Sequence, residues 1–154
     1  MAGPDLIAAL LDTGKPVCKA AAARLEMEGF PSSGFDLHLR GAGLTTPDAL
    51  AIAEALNLRL VENASPMRSF SISYNAEIGD DGVVALVGSF PTSLSEIGMV
   101  GCDLGDESAE VLLQFAQTVP NLKMMCIEDN RFSPQMRQRF KALGAAQGSL
   151  LLIV

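Results

Sequence analysis

Few residues in this sequence have types and spacing that suit catalysis. The single histidine, His38, lies two residues after Asp36. If the strand that holds it pairs in register with the next strand, Ser71 lies about 4.8 Å away on the same rung. A serine hydrolase also needs an oxyanion hole and a pocket that excludes water. Serine recurs along the second strand, at Ser69 and Ser73, so we interpret the His38–Ser71 pair as coincidental and predict no enzyme activity.

The sequence also lacks the residue spacing that a metal site or a phosphate-binding loop needs. The three cysteines, Cys18, Cys102 and Cys126, are far apart, and no C-x-x-C pair or second histidine accompanies them. The segment Asp12-Thr-Gly-Lys15 lacks the upstream glycine of a phosphate loop, and proline follows its lysine. We therefore expect no cofactor and no metal. The odd number of cysteines favours reduced thiols and a cytoplasmic location.

Composition and charge exclude several classes of protein. The chain has 154 residues, of which 49% are hydrophobic and 19% are charged, so a folded core is expected. A net charge of −7 argues against nucleic-acid binding, which needs clustered Lys and Arg. No apolar run reaches the roughly 20 residues of a membrane span, and the first residues lack the basic region of a signal peptide.

Four segments repeat one spacing of apolar residues. In each copy two apolar residues lie two apart, a ladder position with Ala, Asn or Cys follows three residues later, and another apolar residue comes after it. The copies are Leu37, Leu39, Ala42, Leu44; Phe70, Ile72, Asn75, Ile78; Ile97, Met99, Cys102, Leu104; and Met125, Ile127, Asn130, Phe132. Their first residues, 37, 70, 97 and 125, are 33, 27 and 28 residues apart. The long first step places about five surplus residues within 57–66.

Each repeat predicts a short strand followed by a helix, with helices near 46–60, 80–89, 106–117 and 133–143. Neither element buries its apolar side alone, so the units must stack with their strands in a parallel sheet. Residues 58–63 also fit a strand pattern, but too few residues separate them from the next strand. We interpret them as a helix end and a loop. The Asn or Cys at the ladder position is expected to hydrogen-bond the backbone of neighbouring turns.

These residues resemble leucine-rich repeats of the ribonuclease-inhibitor type. The ladder order Ala42, Asn75, Cys102, Asn130 is similar to the alternation of Asn with Cys or a small residue in that family. The resemblance covers residues 33–154. It implies an α/β fold, a right-handed solenoid with a parallel sheet on the concave face and helices outside. It implies little about function beyond a protein partner.

The chain divides into three regions. Residues 1–32 are predicted to form an N-terminal helical cap, with helices at 4–12 and 16–28 that cover the open core of the first repeat. Residues 33–149 form four repeat units. Residues 150–154 are predicted as a final edge strand. An apolar edge strand is prone to pairing, so Leu150, Leu152 and Val154 are predicted to mediate self-association, as in a homodimer; coverage by a partner, a longer chain or a loop is the alternative.

Two surfaces are candidate binding sites for a protein partner. On the concave face, the residues between the buried apolar positions are His38, Arg40, Ser71, Ser73, Tyr74, Glu96, Glu128 and Asp129. Tyr74, the only tyrosine, is the best candidate anchor because aromatic residues dominate interface energetics. The second surface, the acidic edge, comprises the acids between Arg68 and Lys123: Glu77, Asp80, Asp81, Glu96, Asp103, Asp106, Glu107 and Glu110. It suits a basic partner.

The sequence leaves three functions open. The first is a non-enzymatic adaptor or inhibitor that binds a protein through the concave face or the acidic edge. The second is a structural protein that self-assembles through its C-terminal strand. The third follows from the last helix, which contains Arg137, Arg139 and Lys141. Capped repeats followed by a basic helix are similar to the tropomodulin-type actin-capping domain.

Overall fold

Strands and helices alternate along the chain as the repeat spacing predicts. The computed structural model describes residues 5–154, so the start of the first predicted helix, at residue 4, and the first residues of the predicted cap lie outside the described part. The elements are α1 (Leu6–Asp12), α2 (Pro16–Glu28), β1 (Phe35–His38), α3 (Thr46–Val61), β2 (Met67–Ser71), α4 (Gly79–Gly88), β3 (Glu96–Gly98), α5 (Asp106–Thr118), β4 (Met124–Cys126), α6 (Pro134–Ala146) and β5 (Leu151–Ile153).

The five strands form one parallel sheet in the order β1-β2-β3-β4-β5. The first apolar residue of each repeat lies beside its equivalent in the next: Leu37 pairs with Phe70, Phe70 with Ile97, and Ile97 with Met125. These four side chains are buried, as are the apolar faces of the helices behind them. The predicted α/β solenoid, with a sheet on one side and helices on the other, is therefore confirmed. The predicted fifth strand also forms and pairs with β4.

Residues 57–66 form no strand, as predicted. Helix α3 runs through them to Val61 and has 16 residues, whereas α4 has 10. At 1.5 Å per residue, the six extra residues extend α3 by about 9 Å. The surplus residues of the first repeat are thus absorbed by a longer helix and the loop that returns the chain to Met67.

The ladder position connects neighbouring units through buried hydrogen bonds. The side-chain oxygen of Asn75 accepts from the Leu44 N–H at 2.9 Å, and its nitrogen donates to the Leu39 carbonyl at 2.9 Å. Asn130 makes four such bonds of 2.8–3.1 Å to the backbone of its own and the preceding unit. The Cys102 thiol donates to a carbonyl of the preceding unit at 3.1 Å. Because buried backbone groups must be paired, these side chains fix the register of stacking.

At the N-terminal end, α1 and α2 cover the first repeat. Leu6 and Leu10 of α1 and Leu25 of α2 are buried in the same core as the repeats. Asp5 caps α1 by accepting a hydrogen bond from the Ala8 N–H at 2.7 Å, and Gly29 ends α2 in the left-handed conformation. The two helices therefore shield apolar surface that the first repeat would otherwise expose.

Candidate protein-binding face

The concave face is the side of the sheet that no helix covers. Of the residues predicted there, His38, Arg40, Tyr74, Glu96 and Asp129 are exposed, and Ser71 and Glu128 are half-buried. All seven lie on or directly after strands β1 to β4, so the structure brings them to one surface.

Ser73 does not contribute to this surface as the sequence predicts. Only 6% of the residue is exposed. Its hydroxyl accepts a hydrogen bond from the Val100 N–H at 3.1 Å and one from the Ser71 hydroxyl at 3.4 Å. Ser73 follows the end of β2, where the chain turns toward its neighbour, and its side chain joins the two units instead of facing a partner.

The histidine forms its hydrogen bond with a different serine from the one that pairs with it in the register of the sheet. His38 and Ser71 are paired in register, but the His38 Nε2 lies 2.8 Å from the Ser69 hydroxyl. Ser69 in turn donates its single hydroxyl hydrogen to the Glu96 carboxylate at 3.2 Å. The imidazole must therefore donate to Ser69, which is the reverse of what a general base does to a nucleophile.

Tyr74 adopts a backbone conformation that residues other than glycine rarely take. In all four repeats the residue before the ladder position has a positive φ: 58° at Gly41, 62° at Tyr74, 62° at Gly101 and 60° at Asp129. Glycine, and to a lesser degree aspartate, tolerates this left-handed region. For tyrosine the steric cost is about 1–2 kcal/mol. The turn geometry of the repeat therefore imposes strain on the one tyrosine of the chain.

The Tyr74 ring is held in place although 48% of the residue is exposed. One side lies against Gly101, where an added Cβ would come within 2.9 Å of the ring. The Arg40 guanidinium lies 4.6 Å from the ring centroid, a cation–π contact. The concave face thus presents a preordered aromatic side chain flanked by a cation, which the sequence could only suggest by placing both residues on adjacent strands.

Two carboxylates of the acidic edge are hydrogen-bonded to the following unit. Asp80 accepts from the Gly105 N–H at 3.0 Å and from the Ser108 hydroxyl. Asp106 accepts from the Ser133 N–H at 2.8 Å. The hydrogen bonds from the Ser133 backbone and side chain hold the pKa of the Asp106 carboxyl below its ordinary value. These acids therefore stabilise the turns that stack against them.

Two further acids form ion pairs with the last repeat. The Arg131 guanidinium lies 2.5 Å from the Asp103 carboxylate, and that of Arg139 lies 2.6 Å from Glu110. The hydrogen bond from Arg139 also lowers the pKa of the Glu110 carboxyl. The acidic edge available to a partner is therefore smaller than the sequence predicts. In the described part of the chain, its exposed carboxylates with neither an ion pair nor a hydrogen bond to another unit are Glu77, Asp81 and Glu107.

The C-terminal strand exposes the opposite set of side chains from the predicted one. Leu150 is buried, and Leu152 and Val154 are half-buried against the core. Leu152 pairs in register with Met125, which places it in the inward row, and side chains alternate along a strand. The residues on the concave side are Leu151 and Ile153, which are 56% and 41% exposed.

Neither thiol nor metal chemistry is indicated by the described residues. All three cysteines are free, and burial raises the pKa of each thiol. Within residues 5–154, no group of His, Cys, Asp and Glu is arranged to hold a metal ion. None of the helices described is both long enough and apolar enough to span a bilayer.

Comparisons with known proteins agree with the repeat geometry. A protein-family model described as a leucine-rich repeat matches residues 63–87. Among solved structures, the chain is similar to leiomodin-1 actin-binding site 2, with a TM-score of 0.64, 10% identity, and coverage of 85% of this chain and 74% of that one. At this identity the likeness shows the fold alone. No curated protein matches the chain.

The assignment to the ribonuclease-inhibitor type stays a prediction. The leucine-rich repeat fold in general is supported by three independent findings: the ladder hydrogen bonds, the family-model match and the similarity to a solved structure. The chain therefore has an α/β solenoid fold like that of leucine-rich repeats.

Proposed function

We propose that this protein is a non-enzymatic adaptor or inhibitor that binds a protein partner through its concave face, with Tyr74 at the centre of the contact. The observation that carries the proposal is the strained backbone of an exposed tyrosine. Glycine occupies the equivalent place in two of the other three repeats, at Gly41 and Gly101. An exposed residue with a strained backbone, at a place that glycine fills in other repeats, is accounted for most simply by a function outside the fold.

The surroundings of Tyr74 suit an interface hot spot. Tyrosine and arginine are enriched among the residues that contribute most to binding energy, and Arg40 stacks on the ring. Gly101 beneath the ring fixes its position. A partner would therefore meet an ordered aromatic group and lose little side-chain entropy on binding.

The chemistry of the concave face changes from one end to the other. Its N-terminal part is charged, with Asp36, His38 and Arg40 exposed on the first unit. Its last strand is apolar, because Leu151 and Ile153 are exposed on β5. A matching partner segment would place apolar side chains over β5 and polar or charged groups near β1, with Tyr74 between them.

The second candidate is actin binding, as in the tropomodulin-like alternative. It is favoured by the similarity to a structure titled an actin-binding site. The third candidate, self-assembly through β5, is favoured by the exposure of Leu151 and Ile153. Both are compatible with the same concave surface, so the experiment must distinguish the three.

Site-specific photo-cross-linking tests the proposed face. A photoreactive amino acid replaces Glu128 on the concave face or, as the matched control, Gln114 on the exposed side of α5. We expect discrete cross-links to a second protein from position 128 and none from position 114. A cross-linked product at twice the mass of the chain would instead identify self-assembly, and co-sedimentation with purified actin filaments tests the actin alternative directly.

A variant at Tyr74 completes the test. Tyr74→Gly removes the aromatic side chain and relieves the backbone strain, so the protein should remain folded. We expect the cross-link from position 128 to disappear in this variant. Equal cross-linking from positions 128 and 114, or full retention of it in the Tyr74→Gly variant, would contradict the proposal.

A further inference from the structure

The surplus residues of the first repeat help to line a cleft between α3 and the loop after α4. Helix α3 and the loop after it extend past the end of α4, which stops at Gly88. The space between them has a volume of about 350 Å³. This volume falls in the range of about 300–1,000 Å³ that is usual for small-molecule sites. The cleft lies at the edge of the sheet where the strands begin, away from Tyr74.

The walls of this cleft are mainly apolar. Leu56 and Leu60 of α3 form one side, Phe35 and Met67 lie at the starts of their strands, and Phe90 forms the side after α4. Leu60 is exposed at the rim, whereas Phe35, Leu56, Met67 and Phe90 are buried. A ligand that fits this lining needs an apolar, flat or chain-like body.

One cation, Arg59, also lines the cleft. Its guanidinium lies 3.9 Å from the centroid of the Phe30 ring and 5.0 Å from that of Phe35. Its one hydrogen bond in the described structure runs from Nη2 to the Ser65 carbonyl at 2.9 Å. Its Nε is buried without a partner, and no carboxylate within residues 5–154 forms an ion pair with it. Four of its five N–H donors are therefore left without a protein acceptor.

The state of this guanidinium favours an anion. Desolvation lowers the pKa of Arg59, which means that its environment disfavours the positive charge. The guanidinium carbon lies over the Phe30 and Phe35 rings, whereas carboxylates bind a guanidinium along its N–H edge. An incoming carboxylate would thus supply acceptors for the Nη donors without displacing the aromatic contacts.

We propose that the cleft between α3 and the loop after α4 binds a small aromatic carboxylic acid, with the carboxylate on Arg59 and the ring against Leu60 and Phe90. This site is independent of the concave face, so its failure would leave the protein-binding proposal intact. The unpaired cation selects an acid, and the apolar walls select an apolar body, of which the flat aromatic form is the one proposed.

The test uses 3-phenylpropionate as the probe and its uncharged amide as the matched ligand. Backbone amide NMR follows the signals of Thr92 and Ser93, which line the cleft. We expect the acid to cause saturable shifts at millimolar concentration, as the size of the probe suggests, and the amide to bind about tenfold more weakly. Absence of saturable shifts up to about 20 mM acid, or equal binding of the amide, would overturn the proposal.

A new negative charge at the rim separates binding from folding. Leu60→Glu places a carboxylate beside the cleft, and we expect it to weaken binding of the acid about tenfold or more. Leu50→Glu is the matched control, because Leu50 is an exposed leucine of the same helix that does not line the cleft. An unchanged affinity in Leu60→Glu, with the variant folded, would also overturn the proposal. Arg59→Met, checked for folding by its NMR spectrum, should abolish the preference for the acid over the amide.

Discussion

Replacing Tyr74 by alanine and by glycine should give the reverse of the usual stability order. At an ordinary position in a helix or strand, a protein with glycine is less stable than one with alanine by about 0.5–1 kcal/mol, because glycine gives the unfolded chain more conformational freedom. Tyr74 has a φ of 62°. There alanine retains a steric cost of about 1–2 kcal/mol that glycine lacks. Subtracting the entropy term from the steric term leaves glycine more stable by about 0.7 kcal/mol.

The comparison with wild type follows from the contacts of the ring. Tyr74→Ala loses the cation–π contact with Arg40 and the packing on Gly101 while the strain remains. An exposed cation–π contact is worth about 0.5–1 kcal/mol, so this variant should be less stable than wild type by about 1 kcal/mol. In Tyr74→Gly the relieved strain offsets these losses, and its free energy of unfolding should lie close to that of wild type.

Urea unfolding measures these differences. With a slope of about 2 kcal/mol per M, the two variants should differ by about 0.3–0.4 M in midpoint, with glycine higher. The matched pair is Gln114→Ala and Gln114→Gly in the exposed middle of α5, where alanine should be the more stable by about 1 kcal/mol. A Tyr74→Ala variant at least as stable as Tyr74→Gly would refute the claim that the tyrosine is strained.

Three further predictions concern the ladder, the acidic turns and the edge strand. Asn130→Ala should lower the free energy of unfolding by about 2–4 kcal/mol in urea titrations, because four buried hydrogen bonds are lost; a loss under about 1 kcal/mol would contradict the structural role of the ladder. Asp106 has a lowered pKa in the folded state, so its contribution is present above the unfolded pKa and is lost as the pH falls through the folded value. Between pH 6 and pH 3, Asp106→Asn should therefore lose less stability than wild type, and an equal loss would argue against the bond to Ser133. If β5 mediates self-association, Leu151→Lys should reduce the mass in light scattering whereas Leu11→Lys, which alters an exposed leucine of α1, should not; a monomeric wild type would remove this hypothesis.

The repeat spacing predicts the fold well because burial alone determines it. Leu37, Phe70, Ile97 and Met125 recur at equal places in their units, and the structure aligns them in one buried row. The same logic identifies the surplus residues 57–66 as helix and loop. A short strand and a helix with matched apolar faces leave few ways to stack, so the pattern of apolar residues is sufficient.

The candidate site is less predictable because it depends on contacts between units. Asp103 and Arg131 lie 28 residues apart and form an ion pair across neighbouring units, which a list of acids by position does not reveal. Aligning the repeats would have found it, since residues about one repeat apart lie beside each other. The same alignment places Leu152 with Met125, in the inward row, and so corrects the predicted exposure of the C-terminal strand.

The departures from the repeat are more informative about function than the repeat itself. Regular positions are selected by stacking, so their residues serve the fold and would look the same whatever the protein binds. Tyr74 occupies a turn position that glycine fills in two other repeats, at Gly41 and Gly101. Tyrosine in place of glycine there brings no gain in folding stability. The five surplus residues of the first repeat lengthen α3 and leave the cleft beside Arg59. In a chain whose units otherwise follow one rule, an exception that strains the backbone or leaves a cation without an anionic partner needs a cause outside the fold, and an external ligand is the simplest one.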